Sequence, residues 1–193
     1  MKLKRDDLWS LEEYAAERES FRAMILKHKK ARQVALGPHA TLYFEDRLTM
    51  KYQIQEMLRV ERIFEREGIE EELAAYNPLI PDGKNWKATF MIEYGDEGER
   101  RKALASMGGI EETLWVQVGN GEKSFAITNE DMDRTRDTKA AAVHFTRFEL
   151  SDTDLEAINQ GSEIRFGLDH PSLATTVTLD FKERLSLVAD LDL

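Results

Sequence analysis

Residues 47–67, RLTMKYQIQEMLRVERIFERE, form the longest run with a helical apolar period, and the rest of the chain must supply what that helix packs against. Asp46 in front of it is a favoured N-cap, and Gly68 behind it readily takes the left-handed turn that closes a helix. At about 100° per residue, Met50, Ile54, Met57, Leu58, Val60 and Phe64 gather on one stripe. Arg59, Arg62 and Arg66 fall opposite. Glu61 falls in the middle of the stripe and Gln53 at its edge. A carboxylate there must be paired, hydrogen-bonded, protonated or metal-bound, since an unpaired buried charge is strongly unfavourable. The ordinary reading is a buried ion pair with an arginine; the sharper one is a ligand-binding or catalytic group.

Upstream, Ser10 and Glu13 make a capping box for a helix over about Leu11–Ala31, with Leu11, Tyr14, Phe21 and Ile25 on its buried face. Arg18 lies within that stripe and Arg22 at its edge, so either can be the partner that Glu61 requires. Lys27, Lys29, Lys30 and Arg32 crowd the helix C-terminus, where the dipole favours cations. A short strand over Arg32–Leu36, the turn Gly37-Pro38-His39 and a strand at Leu42–Phe44 then lead into the central helix. His39 is therefore a loop or strand-end residue, and Glu45 and Asp46 suit the positive end of the helix dipole.

Downstream, a short helix over Ile69–Tyr76 is stopped by Asn77-Pro78. The loop NPLIPDGKN carries Leu79 and Ile80, apolar area that predicts packing over the sheet or the long helix. Alternation then puts Trp86, Ala88, Phe90 and Ile92 on one strand face and Lys87, Thr89 and Glu93 on the other. Asp96 caps a helix reaching about Met107. Gly119-Asn120-Gly121 joins strands Thr113–Val118 and Lys123–Thr128 in a hairpin. Asn129–Lys139 reads as an exposed polar excursion. Ala141–Leu150 reads as a long strand, apolar on both faces and central in its sheet, with His144, Thr146 and Phe148 on one face and Arg147 on the other. A capped helix to Gln160, strands at Glu163–Leu168 and Thr175–Leu179 around Asp169-His170-Pro171, and a helix boxed by Asp180 and Glu183 close the chain. The expected architecture is one α+β domain spanning residues 1–193, an antiparallel-rich sheet with the N-terminal helices packed against it.

The run LGPHATLYFEDRLTMKYQIQEMLRVERIFEREGIEEELAAYNPLIPDG, with KLKRDDLWSLEEY, HKKARQVALGPH, AVHFTRFEL and DHP, resembles the domain of unknown function 3501 family, an uncharacterised bacterial family. The likeness covers most of the chain and weakens over about Gly119–Lys139 and after Pro171. The resemblance implies association with redox or iron metabolism, and with it a redox or iron–sulfur protein partner.

Composition narrows the function classes. A net charge of −10 excludes a general nucleic-acid binder, which needs a basic face to displace counterions. Basic residues outnumber acidic ones over residues 1–36, so the remainder is more acidic still. With no cysteine, disulfides, thiolate metal sites and cysteine-bound clusters on this chain are excluded. The start MKLKRDDLWS lacks an apolar signal core and no stretch is long enough to span a bilayer, so a soluble, cytoplasmic protein is expected. Phosphate-loop, dinucleotide, nucleophile-elbow, HExxH and Glu-x-x-His patterns are all missing.

What remains is a dispersed set. Arg47, Tyr52, Glu56, Glu61 and Arg147 are candidates for ligand binding, with Glu45 beside them. His39, His144, His170 and Glu61 are candidates for a single divalent metal ion. Three functions follow: an accessory or binding protein for a redox or iron-related system, a mononuclear metalloprotein or enzyme built around the 47–67 helix, and a sensor for a small anionic ligand held by arginines. Convergence of His39, His144 and Glu61 would select the second, and an open arginine-lined pocket the third.

Overall fold

The computed structural model describes residues 2–128, 130 and 140–193. Alternating strands that are apolar on one face build two antiparallel sheets. The first runs β1 (Gln33–Ala35), β2 (Ala40–Phe44), β3 (Asn85–Ile92), β7 (Val143–Glu149), β6 (Ile127–Thr128) in spatial order. The second runs β5 (Ser124–Phe125), β4 (Leu114–Val118), β8 (Ile164–His170), β9 (Leu173–Thr178). The inner faces meet as in a sandwich. Phe166 of the second sheet packs against Phe44, Trp86 and Phe148 of the first, with ring centroids 5.0, 5.7 and 5.1 Å away. Helices α4 (Glu97–Ala105), α5 (Asp152–Asn159) and α6 (Phe181–Val188) contribute Leu104, Leu155, Ile158 and Leu187 to the same core. Trp86 Nε1 donates to the Leu187 carbonyl at 2.8 Å, which fixes α6 to the sandwich.

The N-terminal helices form a second layer with its own apolar clusters. α1 (Leu11–Lys30) starts on the Ser10–Glu13 capping box and lays Tyr14, Phe21 and Ile25 against Leu48 and Tyr52 of α2 (Arg47–Glu61). The other side of α2, Met50, Ile54 and Leu58, packs with Leu3, with Leu73 of α3 (Arg66–Tyr76) and with Ile80. Two side-chain amides tie the N-terminal segment down like peptide groups. Gln55 Oε1 accepts from Trp9 N at 2.7 Å, and Asn77 pairs with both backbone groups of Leu3 at 2.7 and 3.0 Å.

Three expectations need correction. The central helix ends at Glu61, not Glu67: Arg62 adopts a left-handed conformation (φ 56°) and the Arg62 and Ile63 amides both bond to the Leu58 carbonyl. Gly68 is not its cap but lies inside α3, where a Cβ would come within 2.6 Å of Ile63 Cγ2. Lys123–Thr128 is two short strands belonging to different sheets. Phe125 pairs with Trp115, the Ala126 amide donates to the Leu114 carbonyl, and Ile127 crosses to pair with Arg147. β7 therefore lies next to the edge of its sheet, and β3 is the central strand. The excursion expected over Asn129–Lys139 lies, apart from Glu130, outside the described residues.

Candidate functional site

The outward faces of β3 and β7 become a floor. Their register sets Lys87 opposite Arg147 and Thr89 opposite Phe145, while the alternate residues Trp86, Ala88, Thr146 and Phe148 are buried. The loop after α3 crosses above this floor because Ile80 and Pro81 bury themselves and Leu79 packs beside the α2–α3 cluster. Between floor and loop is a cleft of about 810 Å³, walled by Leu79, Ile80 and Phe145 and carrying Lys87, Arg147 and Glu45.

The electrostatics of this cleft are uneven. Lys87 Nζ donates to the carbonyls of Pro78 at 2.6 Å and Ile80 at 3.0 Å, so the loop is hung on the lysine. Among the described residues no carboxylate lies within ion-pair distance of that ammonium. Burial pushes its pKa down and Arg147 pushes the same way, only partly offset by the charges of Asp82, Glu130 and Glu149. Arg147 is differently placed. Its Nε and Nη2 clasp Glu130 at 2.8 and 2.7 Å and its Nη1 bonds to Glu149. Those hydrogen bonds raise the arginine further above its ordinary range and hold Glu130 below the usual carboxylate range. At the inner end Glu45 is buried and satisfied by two hydroxyls, Thr49 Oγ1 at 2.7 Å and Thr89 Oγ1 at 2.9 Å. The arrangement offers a partly desolvated cation beside apolar walls. That suits recognition of an anionic group on an apolar body.

A second cavity of about 590 Å³ lies where α1, α2 and the C-terminal segment meet. Its centre is Arg32, 2% exposed, donating to the carbonyls of Phe44, Glu45 and Ser186 at 3.0–3.1 Å and to Asp190 at 2.5 Å. Asp46 shares the same guanidinium at 3.4 Å and takes His28 Nε2 at 2.5 Å. One arginine thus serves two carboxylates. Burial raises Asp190 to about 6 despite the attraction of Arg32. For Asp46, burial is outweighed by Arg32, the Thr49 amide and His28, which leave it below its ordinary value. These groups are spoken for by one another, and the cavity reads as a structural junction.

The residues singled out from sequence are scattered across these regions. Arg147 lies in the main cleft, and Arg47 lines the second cavity, paired with Asp7 at 2.6 Å. Glu56 joins α2 to α1: Arg18 Nε and Nη2 grip its two oxygens at 2.7 and 2.9 Å and Tyr14 donates at 2.6 Å. Arg18 is therefore the partner foreseen, but for Glu56, which is held down at about 2 chiefly by that arginine. The expected burial of Glu61 does not occur. It is exposed, because the helix stops there and its neighbours on the stripe, Val60 before it and Phe64 after it, are 63% and 68% exposed. Tyr52 is half-buried against Phe21.

The histidines lie on different elements. His39 donates from Nδ1 to the Glu93 carbonyl at 2.9 Å and stacks on Tyr94 at 3.9 Å. His144 is buried beside Phe90, with Nε2 3.0 Å from the Ala141 carbonyl and Nδ1 3.7 Å from Glu111. His170 ends β8, accepting from the Ser172 amide at 3.1 Å and donating from Nε2 to the Gly108 carbonyl at 3.3 Å, the work of a turn histidine. Among the described residues no three His, Asp or Glu side chains are grouped to hold a metal ion. Lys87, the group that most distinguishes the main cleft, was missed from sequence. Its signal was a lysine on the polar face of a strand whose neighbouring loop carried apolar residues with nowhere else to go.

Comparison with known proteins agrees with the resemblance in the sequence. The family described as "Protein of unknown function (DUF3501)" matches residues 2–191. The chain belongs to this family. The DUF3501 chain is also similar to a crystal structure described as a novel protein of unknown function from Burkholderia pseudomallei K96243, with 44% identity, a TM-score of 0.93 and 100% of each chain covered. The comparison with curated proteins found no match. Among the described residues of this DUF3501 protein no helix is long and apolar enough to cross a membrane.

Proposed function

We propose that this DUF3501 protein is an accessory binding protein that holds a small anionic, largely apolar ligand in the cleft between β3, β7 and the 77–82 loop. The observation that carries this reading is Lys87, a half-buried ammonium that among the described residues bonds to two carbonyls and is set beside Leu79, Ile80 and Phe145. A carboxylate or phosphate entering the cleft would restore the charge balance that burial costs this lysine. Its apolar body would cover the walls. Among the described residues the cleft pairs no nucleophile with a general base, which favours binding over catalysis. In the redox or iron-related setting that the resemblance implies, such a protein would act on its partner through ligand occupancy.

The test is thermal denaturation against graded series of small carboxylates and phosphates with increasing apolar length. A ligand at a hundred times its Kd should add about 2.7 kcal/mol of stability. The gain should vanish in Lys87→Met and survive in Glu61→Ala. Stabilisation that persists in Lys87→Met, or none from any member of the series, would overturn the proposal.

A further inference from the structure

We infer that β9 is the contact strand of a homodimer, pairing edge to edge and antiparallel with β9 of a second copy about a two-fold axis at Thr176. Strand β9 is the end strand of the second sheet and is six residues long. Among the described residues the other three end strands, β1, β5 and β6, are two or three residues long, the usual way an edge is kept from pairing.

The ladder shows which backbone groups are open. Leu179 N donates to the Ile164 carbonyl at 3.0 Å, so by antiparallel alternation Leu173, Thr175 and Val177 bond to β8. Ala174, Thr176 and Thr178 then turn their N–H and C=O groups outward, and among the described residues none of these groups has a partner on that side. The strand also lacks the charges and the proline that blunt an edge. PSLATTVTL, residues 171–179, has no charged residue, and its one proline lies in the turn before the strand.

A second copy fits this edge because the edge is complementary to itself. An axis at Thr176 sets Thr176 against Thr176, Ala174 against Thr178, Leu173 against Leu179 and Thr175 against Val177. Small neutral side chains meet on the outer face, and Leu173, Thr175, Val177 and Leu179 on the inner, with no like charges opposed. The adjacent carboxylate Asp169 is already neutralised by Lys123 at 2.7 Å. A peptide-capturing edge would present pockets for alternate side chains, whereas the outer face here carries only Ala174, Thr176 and Thr178. The chain's charge of −10 opposes association of two copies, so pairing should tighten as salt rises.

The experiment is sedimentation velocity on the full chain from micromolar to near-millimolar concentration, for the parent, Thr176→Lys and Thr176→Glu. Thr176 is exposed, and unchanged melting temperatures would confirm that both variants fold. We expect a reversible dimer in the parent, at least a tenfold weaker dimer in each variant, and recovery when the two variants are mixed, because Lys then faces Glu. Amide exchange at Ala174, Thr176 and Thr178 should slow as the parent dimerises. A parent that stays monomeric, a dimer indifferent to the variants, or a mixture that does not recover would overturn the inference. So would protection of these amides only on adding an extended peptide.

Discussion

Replacing Arg32 by methionine should be the most damaging single change in the helical layer. The guanidinium is 2% exposed and satisfies the carbonyls of Phe44, Glu45 and Ser186 and the carboxylate of Asp190. Methionine fills much of the stem's volume but donates nothing, so three carbonyls lose a partner and two buried carboxylates lose their shared cation. Breaking a buried pair by removing one partner costs about 3–5 kcal/mol. For a chain of this size that corresponds to a loss of roughly 10 °C in melting temperature. Urea denaturation followed by tryptophan fluorescence measures it, since Trp86 lies one hydrogen bond from α6.

The loss should also depend on pH. Burial sets Asp190 at about 6 in the fold, above the ordinary value of 3.8, so the folded state binds the proton more tightly. Its stabilising contribution is complete below about pH 4 and is lost as pH rises through 6. Without Arg32, Asp190 titrates higher still, and a neutral acid tolerates the missing cation. The variant's deficit should therefore be smaller at pH 5 than at pH 8. A deficit below about 1 kcal/mol at pH 8, or one larger at pH 5, would refute the reasoning from a buried shared cation.

Three further outcomes are expected. Glu56→Ala, which strips Arg18 and Tyr14 of their acceptor, should cost about 1–2 kcal/mol, while Glu61→Ala should stay within about 0.5 kcal/mol; equal costs in urea melts would contradict the assignment of the pair. Because Glu56 is held at about 2, its contribution is present above the ordinary value of 4.5 and is lost as pH falls towards 2, a dependence that Glu56→Ala should remove from an acid-denaturation curve. Gly68→Ala should destabilise by about 1–3 kcal/mol, because the contact at 2.6 Å with Ile63 outweighs the roughly 1 kcal/mol gained in helix propensity; a more stable variant in thermal melts would refute the close approach. Elemental analysis of dialysed protein should give well under one equivalent of zinc, iron or manganese, and a full equivalent lost in both His39→Ala and His144→Ala would revive a metal centre.

Local chemistry made much of this fold readable. The caps at Ser10, Asp46, Asp96 and Asp180 all accept from the amides expected of them, and the alternation around Trp86 assigns the core face of β3 correctly. The failures share one cause. Val60, in the last turn of the helix, and Phe64, beyond the backbone turn at Arg62, both keep the helical apolar period yet are exposed, and period alone cannot show that the stripe has run out of partners. Gly68 looked like a stop signal, yet it is required by the approach of Ile63 from outside its helix. The split of residues 123–128 between two sheets depends on edges contributed by Leu114 and Arg147, distant in sequence. The cleft was hidden for the same reason. Arg147 stands out in the sequence as a ligand candidate but Lys87 does not, and only their cross-strand register and the crossing loop make a site of them.

Ligand binding in the cleft is tested most directly by backbone amide shifts on titration with the most stabilising carboxylate or phosphate. It predicts saturable shifts grouped at residues 79–82, Lys87, Phe145 and Arg147, absent when the same compound is added to Lys87→Met. Shifts centred instead on Arg32, Arg47 and Asp190, or scattered and unsaturable ones, would contradict it.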